Sequence, residues 1–214
     1  MDIILSRHGN TFAPSDPVVW TGSSNDLPLV AEGIAQAEKF GRVLLSQGLR
    51  PAAVYCGPLK RTRVYAEILI GMLGLSEGPR VDSRLNEIDY GKWTGLTQDQ
   101  VEAEFGPASL KAWNEKSVWP KEGGWGGSPE KIISEVHSFV HDLQKAHRQS
   151  DLVLVISSNG RLRYFLTLQE GVYESHIKTG RFKVKTGNIC KLKASKESVV
   201  IDYWNIDPNS LDHS

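Results

Sequence analysis

Hydrophobic residues in this chain alternate between two periodicities. Asp2 to Ser6 is a short β-type run that stops at Arg7-His8-Gly9, and a polar loop with Pro14, Pro17 and Gly22 follows. From Val30 to Gln47, apolar and small residues at Ile34, Ala37, Phe40, Val43, Leu44 and Leu45 keep helical spacing, with Gly48 as a stop. Ala52 to Cys56 reads as a second strand broken by Gly57-Pro58, and Leu59 to Leu73 returns to helical spacing through Val64 and Ile68. Ser128-Pro129 supplies an N-cap and first-turn pair for a helix whose apolar stripe is Ile132, Ile133, Val136, Phe139, Val140 and Leu143. Asp151 to Ile156 then runs Leu-Val-Leu-Val-Ile without interruption, the pattern of a parallel strand buried on both faces. A helix is expected near Arg163 to Gln169, and short closing strands at Arg181 to Lys185, Ile189 to Lys193 and Val199 to Trp204.

Strands alternating with helices predict an α/β domain with a mostly parallel sheet, whose ligand crevice lies beyond the carboxyl ends of the strands. Three polar motifs fall at such ends: Arg7-His8, Pro58 to Arg61, and Ser157 to Gly160. No repeat, low-complexity tract or linker divides the chain, so residues 1–214 are expected to form one domain. Residues 94–127, which hold Trp113, Trp119, Trp125 and the run Gly123 to Gly127, are expected to be an insert over the crevice.

Composition narrows the function. With 214 residues, 40% hydrophobic and 23% charged, the chain can bury a core and is neither disordered nor collagen-like. Basic and acidic residues both number 25, so no global field recruits nucleic acid or a membrane surface, and local clusters must carry any anion binding. Cys56 and Cys190 lie far apart in apolar stretches and read as small buried hydrophobes. With no leader-like n-region and no run of about 18 apolar residues, the expected location is the cytoplasm.

The most informative string is Leu5-Ser6-Arg7-His8-Gly9-Asn10-Thr11, directly after the first strand. An arginine fork suits phosphate oxygens, imidazole can be a nucleophile, and the glycine permits close backbone approach. Alone, an Arg-His pair is weak evidence. Three further strings follow in order: Asp26-Leu27-Pro28-Leu29 with Gly33 and Gln36-Ala37, Gly57-Pro58-Leu59-Lys60-Arg61 with Ala66, and Arg84 to Gly95 around Glu87. Together they resemble the histidine phosphatase superfamily in its phosphoglycerate mutase-like branch.

The resemblance implies a three-layer α/β/α fold and a two-step phosphoryl transfer on a small phosphorylated substrate, without metal or other cofactor. His8 would be the nucleophile, Arg7 and Arg61 the clamps on the phosphoryl oxygens, and Glu87 the proton donor and then the base for water. Asn10, Thr11, Asn159 and Gly160 would complete the substrate site.

The sequence departs from the family pattern at three places. Asn159, in Ile156-Ser157-Ser158-Asn159-Gly160-Arg161, stands where the family carries a second histidine. An asparagine amide can donate to a phosphoryl oxygen but carries no charge, a loss of roughly 1 to 2 kcal/mol, or about ten- to thirtyfold in rate. Pro14 stands where many members have an asparagine, and Gly126-Gly127-Ser128 lacks the glutamate of a glycine-glutamate-serine string. Two rival readings therefore stay open: a weak or inactive phosphate-binding or regulatory module, and a phosphoglycerate-type mutase. The mutase reading lacks tandem arginines in the insert, where only Lys111, Lys116 and Lys121 offer charge between Leu96 and Trp125.

Other candidates carry less. His137 and His141 share a helical spacing but have no third ligand in the pattern, and a solvated face is the simpler reading. His176 could approach the pocket from a loop, and the three insert tryptophans could line a substrate mouth or pack a core.

Overall fold

The structure is a computed structural model that describes residues 1–213, with side chains as far as Leu211. The strands are β1 (Asp2–Arg7), β2 (Ala53–Cys56), β3 (Arg80–Val81), β4 (Leu152–Ser157), β5 (Ile189–Ala194) and β6 (Val199–Ile206). The helices are α1 (Ala31–Ser46), α2 (Lys60–Leu73), α3 (Gln98–Phe105), α4 (Pro107–Lys116), α5 (Pro129–Ala146), α6 (Asn159–Leu162) and α7 (Val172–Thr179). Among the described residues the strands form one six-stranded sheet in the order β3-β2-β4-β1-β5-β6. The first four of that order run parallel, and β5 and β6 close the sheet antiparallel.

Strand alternation sorts the core into two layers. Ile3, Leu5, Val153 and Val155 face the layer built with Val136, Phe139 and Val140 of α5, while Ile4, Leu154 and Ile156 face Phe40 and Leu44 of α1 and Tyr65 and Leu69 of α2. Helices thus cover both faces, which is why β4 can be apolar throughout. Cys56 and Cys190 belong to opposite layers, and both are buried free thiols. Ser128 caps α5 by accepting from the Lys131 N–H, with Pro129 in the first turn. Among the described residues no helix is long and apolar enough to cross a membrane.

Several expected elements shift. The helix near Arg163 to Gln169 starts earlier, as α6, and continues as a tighter 3-10 turn over Arg163–Leu168. Arg181 to Lys185 is no strand. Phe182 and Val184 are buried there as an irregular segment whose Val184 N–H donates to the Asn159 side chain, not to a neighbouring strand. α7 was not apparent in the sequence, and none of its residues is buried. Within residues 94–127, α3 and α4 form, and Trp113 and Trp125 pack edge to face at 4.7 Å with Tyr90, Trp93 and Trp119 around them. The tryptophans therefore pack a core and leave the cavity wall to other residues.

The glycine of the first motif is required by the fold. A methyl group on Gly9 would lie 2.5 Å from the Gly33 Cα, and one on Gly33 would lie 2.9 Å from the Asn10 backbone nitrogen. The loop after β1 and the first turn of α1 touch backbone to backbone, with no side chain able to yield. Gly9→Ala is expected to cost about 1 to 3 kcal/mol, as overpacking does, read as a lower urea midpoint at unchanged slope.

Candidate active site

β1 and β4 are neighbours with Arg7 opposite Ser157, so the chain segments leaving them emerge side by side. The His8 N–H donates to the Ser157 carbonyl at 3.1 Å, and the Gly187 N–H bonds the carbonyls of Arg7 and His8 from the other side. This fixes the backbone that carries the imidazole. Beyond the strand ends lies a cavity of about 720 Å³ lined on its inner side by Arg7, His8, Glu87, Tyr90 and Asn159, with Asn10 and Thr11 beside them.

His8 is 6% exposed, and its Nδ1 lies 2.8 Å from the Gly9 carbonyl. A carbonyl can only accept, so Nδ1 carries the hydrogen and Nε2 keeps a lone pair. Burial, and then the positive charges of Arg7 and Arg61, hold the imidazole pKa well below its usual value. The ring therefore favours its neutral form, with the Nε2 lone pair uncommitted.

Glu87 is fixed by backbone donors. The Ile88 N–H reaches Oε1 at 2.8 Å, and the Gly160 N–H reaches Oε2 at 3.3 Å. The loop that carries it is tied down by Arg161, whose Nε donates to the Asn86 carbonyl at 2.8 Å and whose Nη1 pairs with Glu135 of α5 at 2.6 Å. Tyr90 completes the wall, its phenol kept protonated by burial and by the Glu87 charge.

The clamps and the fourth motif differ in detail from expectation. Arg7 lines the cavity and donates from Nη1 to the Val184 carbonyl at 2.8 Å. Arg61 does not line it: its Nη1 and Nη2 donate to the Asn25 and Gly22 carbonyls, and its buried Nε has no partner among the described residues. Its charge still bears on His8 and Glu87. Gly160 is likewise absent from the lining, and its N–H is committed to Glu87. Asn159 lines the cavity, and because its Oδ1 accepts the Val184 N–H at 2.8 Å, its Nδ2 is left as the free donor. Among the described residues no group of three or more histidines, cysteines or carboxylates is placed to hold a metal ion. His137 bonds Thr167, and His176 lies on α7 against Val172 and Trp204, away from the cavity wall.

Tyr90 and Lys185 line the site but were not singled out as site residues from the sequence. Tyr90 sits three residues after Glu87 within the acidic string, which was its signal. Lys185 lay in an expected strand and had none. Arg163, two residues after Arg161, is a further surprise. It is 1% exposed, its guanidinium lies 3.9 Å from the Trp113 ring centroid, and its charge acts on Tyr90 and Glu87 with no carboxylate among the described residues in a salt bridge to it.

Residues 3–207 match the model of the histidine phosphatase superfamily (branch 1). A 2,3-bisphosphoglycerate-dependent phosphoglycerate mutase from Brucella anthropi is 28% identical over 202 residues, which cover 91% of this chain and 96% of the relative. The like-named enzyme of Bartonella quintana is 28% identical over 82% of this chain and 84% of its own. Among solved structures, a mycobacterial glucosyl-3-phosphoglycerate phosphatase superposes with a TM-score of 0.78 at 23% identity, covering 96% of this chain and 99% of that one. A putative alpha-ribazole-5'-P phosphatase from Escherichia coli superposes at 0.73 with 23% identity, covering 96% and 97%. At these identities the two structures speak for the fold.

Proposed function

The chain belongs to the histidine phosphatase superfamily, branch 1, and from that premise we propose that it hydrolyses a phosphomonoester through a phosphohistidine on His8. The observation that carries the reading is the neutral His8 ring, held by the Gly9 carbonyl so that Nε2 is the free nucleophile beside Arg7, with Glu87 in the same wall. The Nε2 lone pair attacks phosphorus and the bond to the leaving oxygen breaks. Glu87 gives that oxygen a proton. Water then attacks the phosphorus, Glu87 takes its proton, and the P–N bond breaks to restore neutral His8 and release phosphate. Arg7, the Arg61 charge and the Asn159 amide stabilise the transferring group electrostatically, which is most of what phosphoryl transfer asks of a protein. The site serves a small phosphorylated substrate and needs no metal in this scheme.

The test is steady-state hydrolysis of p-nitrophenyl phosphate in the presence of a chelator, with an alkaline denaturing quench to trap a base-stable, acid-labile phosphoenzyme. Turnover together with a phosphate adduct on His8 is expected. Turnover that requires added metal, or an adduct on another residue, overturns the proposal.

Asn159 gives the weakly active reading its specific support, since the amide brings no charge. Replacing an amide donor by a charged one would be worth about ten- to thirtyfold. The structure reduces that figure. The Val184 N–H needs the acceptor that Asn159 Oδ1 now provides, so a histidine there would keep a bare Nδ1 for it and present only a neutral Nε2–H to the cavity. Asn159→His is therefore expected to raise kcat less than tenfold, and, because protonating Nδ1 would set it against the Val184 N–H, without the extra gain toward pH 6 that a free imidazole would give, read from paired pH–rate profiles.

A further inference from the structure

Beyond the inner wall, the cavity lining changes character. Phe12, Pro14, Val18, Val19 and Trp20, all from the loop after β1, form an apolar surface. Val18 is 67% exposed there, and Trp20 is held edge to face against Tyr90 and Trp93 at 5.1 Å each. Such an exposed apolar wall next to a charged pocket suits a ligand with one anionic end and one flat, apolar body. The charged side chains of this outer lining are Asp16 and Glu32 against one ammonium, Lys185. Asp16 is held in place by the Ala13 N–H at 2.7 Å, so its charge is fixed near the apolar wall. A second phosphate would meet two carboxylates and one lysine, whereas a neutral ring meets no opposition.

Resting on the hydrolase reading above, we propose that the substrate class is an aryl or comparably flat apolar phosphomonoester without a second phosphate. The loop from Phe12 to Thr21 receives the leaving group, and Asp16 and Glu32 select against bisphosphorylated ligands. The cavity of about 720 Å³ lies within the range of pockets that enclose organic molecules of drug size and far exceeds what one phosphoryl group fills.

Two measurements on the intact protein test this separately from the chemistry. The first compares kcat/KM for 2-naphthyl phosphate, phenyl phosphate and hydroquinone bisphosphate, whose leaving groups are all phenols. The second compares binding of the unreactive benzylphosphonate and naphthylmethylphosphonate by calorimetry. The naphthyl compounds are expected to be favoured by roughly tenfold over their single-ring partners in both, and the bisphosphate disfavoured by roughly tenfold against phenyl phosphate. Trp20→Ala should erase the naphthyl preference, and the double change Asp16→Asn with Glu32→Gln should shrink the bisphosphate penalty, each read as a ratio within one preparation. Equal kcat/KM values across the three substrates overturn the substrate class and leave the hydrolase standing. A naphthyl preference in binding with no turnover of any ester overturns the hydrolase and leaves the ligand class standing. Neither preference nor turnover overturns both.

Discussion

His8→Ala is expected to lose turnover of p-nitrophenyl phosphate by roughly 10⁴-fold or more, the scale seen when a covalent nucleophile is removed and only binding and electrostatic stabilisation remain. The reason is specific to this ring. Its Nδ1–H is spent on the Gly9 carbonyl, so the sole lone pair of the imidazole points into the cavity. Arg7 is expected to keep phosphate in place without it, so inorganic phosphate should bind His8→Ala within a fewfold of the parent. A loss of binding as large as the loss of rate would assign His8 to anchoring and refute the nucleophile. The same ring sets a pH signature. Burial and the two arginine charges favour the unprotonated form, so the folded ring takes up a proton only well below the ordinary histidine range. The acid limb of kcat/KM assigned to His8 is therefore expected below about pH 6.5, whereas an exposed histidine would place it at that value.

The alternation of helical and strand-like segments was enough to bring two of the three strand-end motifs to the cavity, because β1 and β4 are buried apolar runs that end abruptly in polar residues, whereas Arg61 after β2 does not line it. Arg7, His8 and Asn159 share one cavity because β1 and β4 are parallel neighbours, while Glu87, which the family resemblance named, reaches it through the bonds that Gly160 and Arg161 make to its loop. Local pattern was insufficient where tertiary contacts decide the conformation. Residues 181–185 have strand-like composition, but Val184 spends its N–H on Asn159 and its carbonyl on Arg7, so no strand pairing remains for it. α7 buries none of its residues fully, and its hold on the core runs through Tyr173 stacked on Tyr164, too short an apolar pattern to read as a helix. The hydrogen bonds of Arg61 were also beyond reach. The family resemblance implies a clamp at Arg61, whereas its place at the start of α2 fits a surface charge equally well, and only the path of residues 22–25 shows that two of its donors are already taken. Gly160 shows the same limit, since its N–H serves Glu87.

The dependence on Glu87 can be separated from mere damage to the site by varying the leaving group. Glu87→Gln is expected to lower kcat on alkyl phosphates by about 10²- to 10⁴-fold, the usual worth of a positioned proton donor. p-Nitrophenolate leaves without protonation, so formation of the phosphoenzyme from its ester should be much less affected. Hydrolysis of that phosphoenzyme still needs a base for water, so the adduct should accumulate and appear as a burst of nitrophenol. One complication is built into the geometry: both Glu87 oxygens accept backbone N–H groups, and glutamine would turn an amide nitrogen toward one of them. Gly160→Ala perturbs the same carboxylate from outside. Its methyl group would collide with Glu87 Oε1 and lie 2.5 Å from the Tyr90 hydroxyl, forcing the acid away from the leaving oxygen while its charge remains. Misplacement of a catalytic group by about 1 Å can cost roughly 10²-fold, so Gly160→Ala should reproduce the alkyl-selective loss at a smaller size. If both variants slow alkyl and nitrophenyl esters equally and no burst appears, Glu87 is holding the loop in place and proton transfer must be assigned to another group.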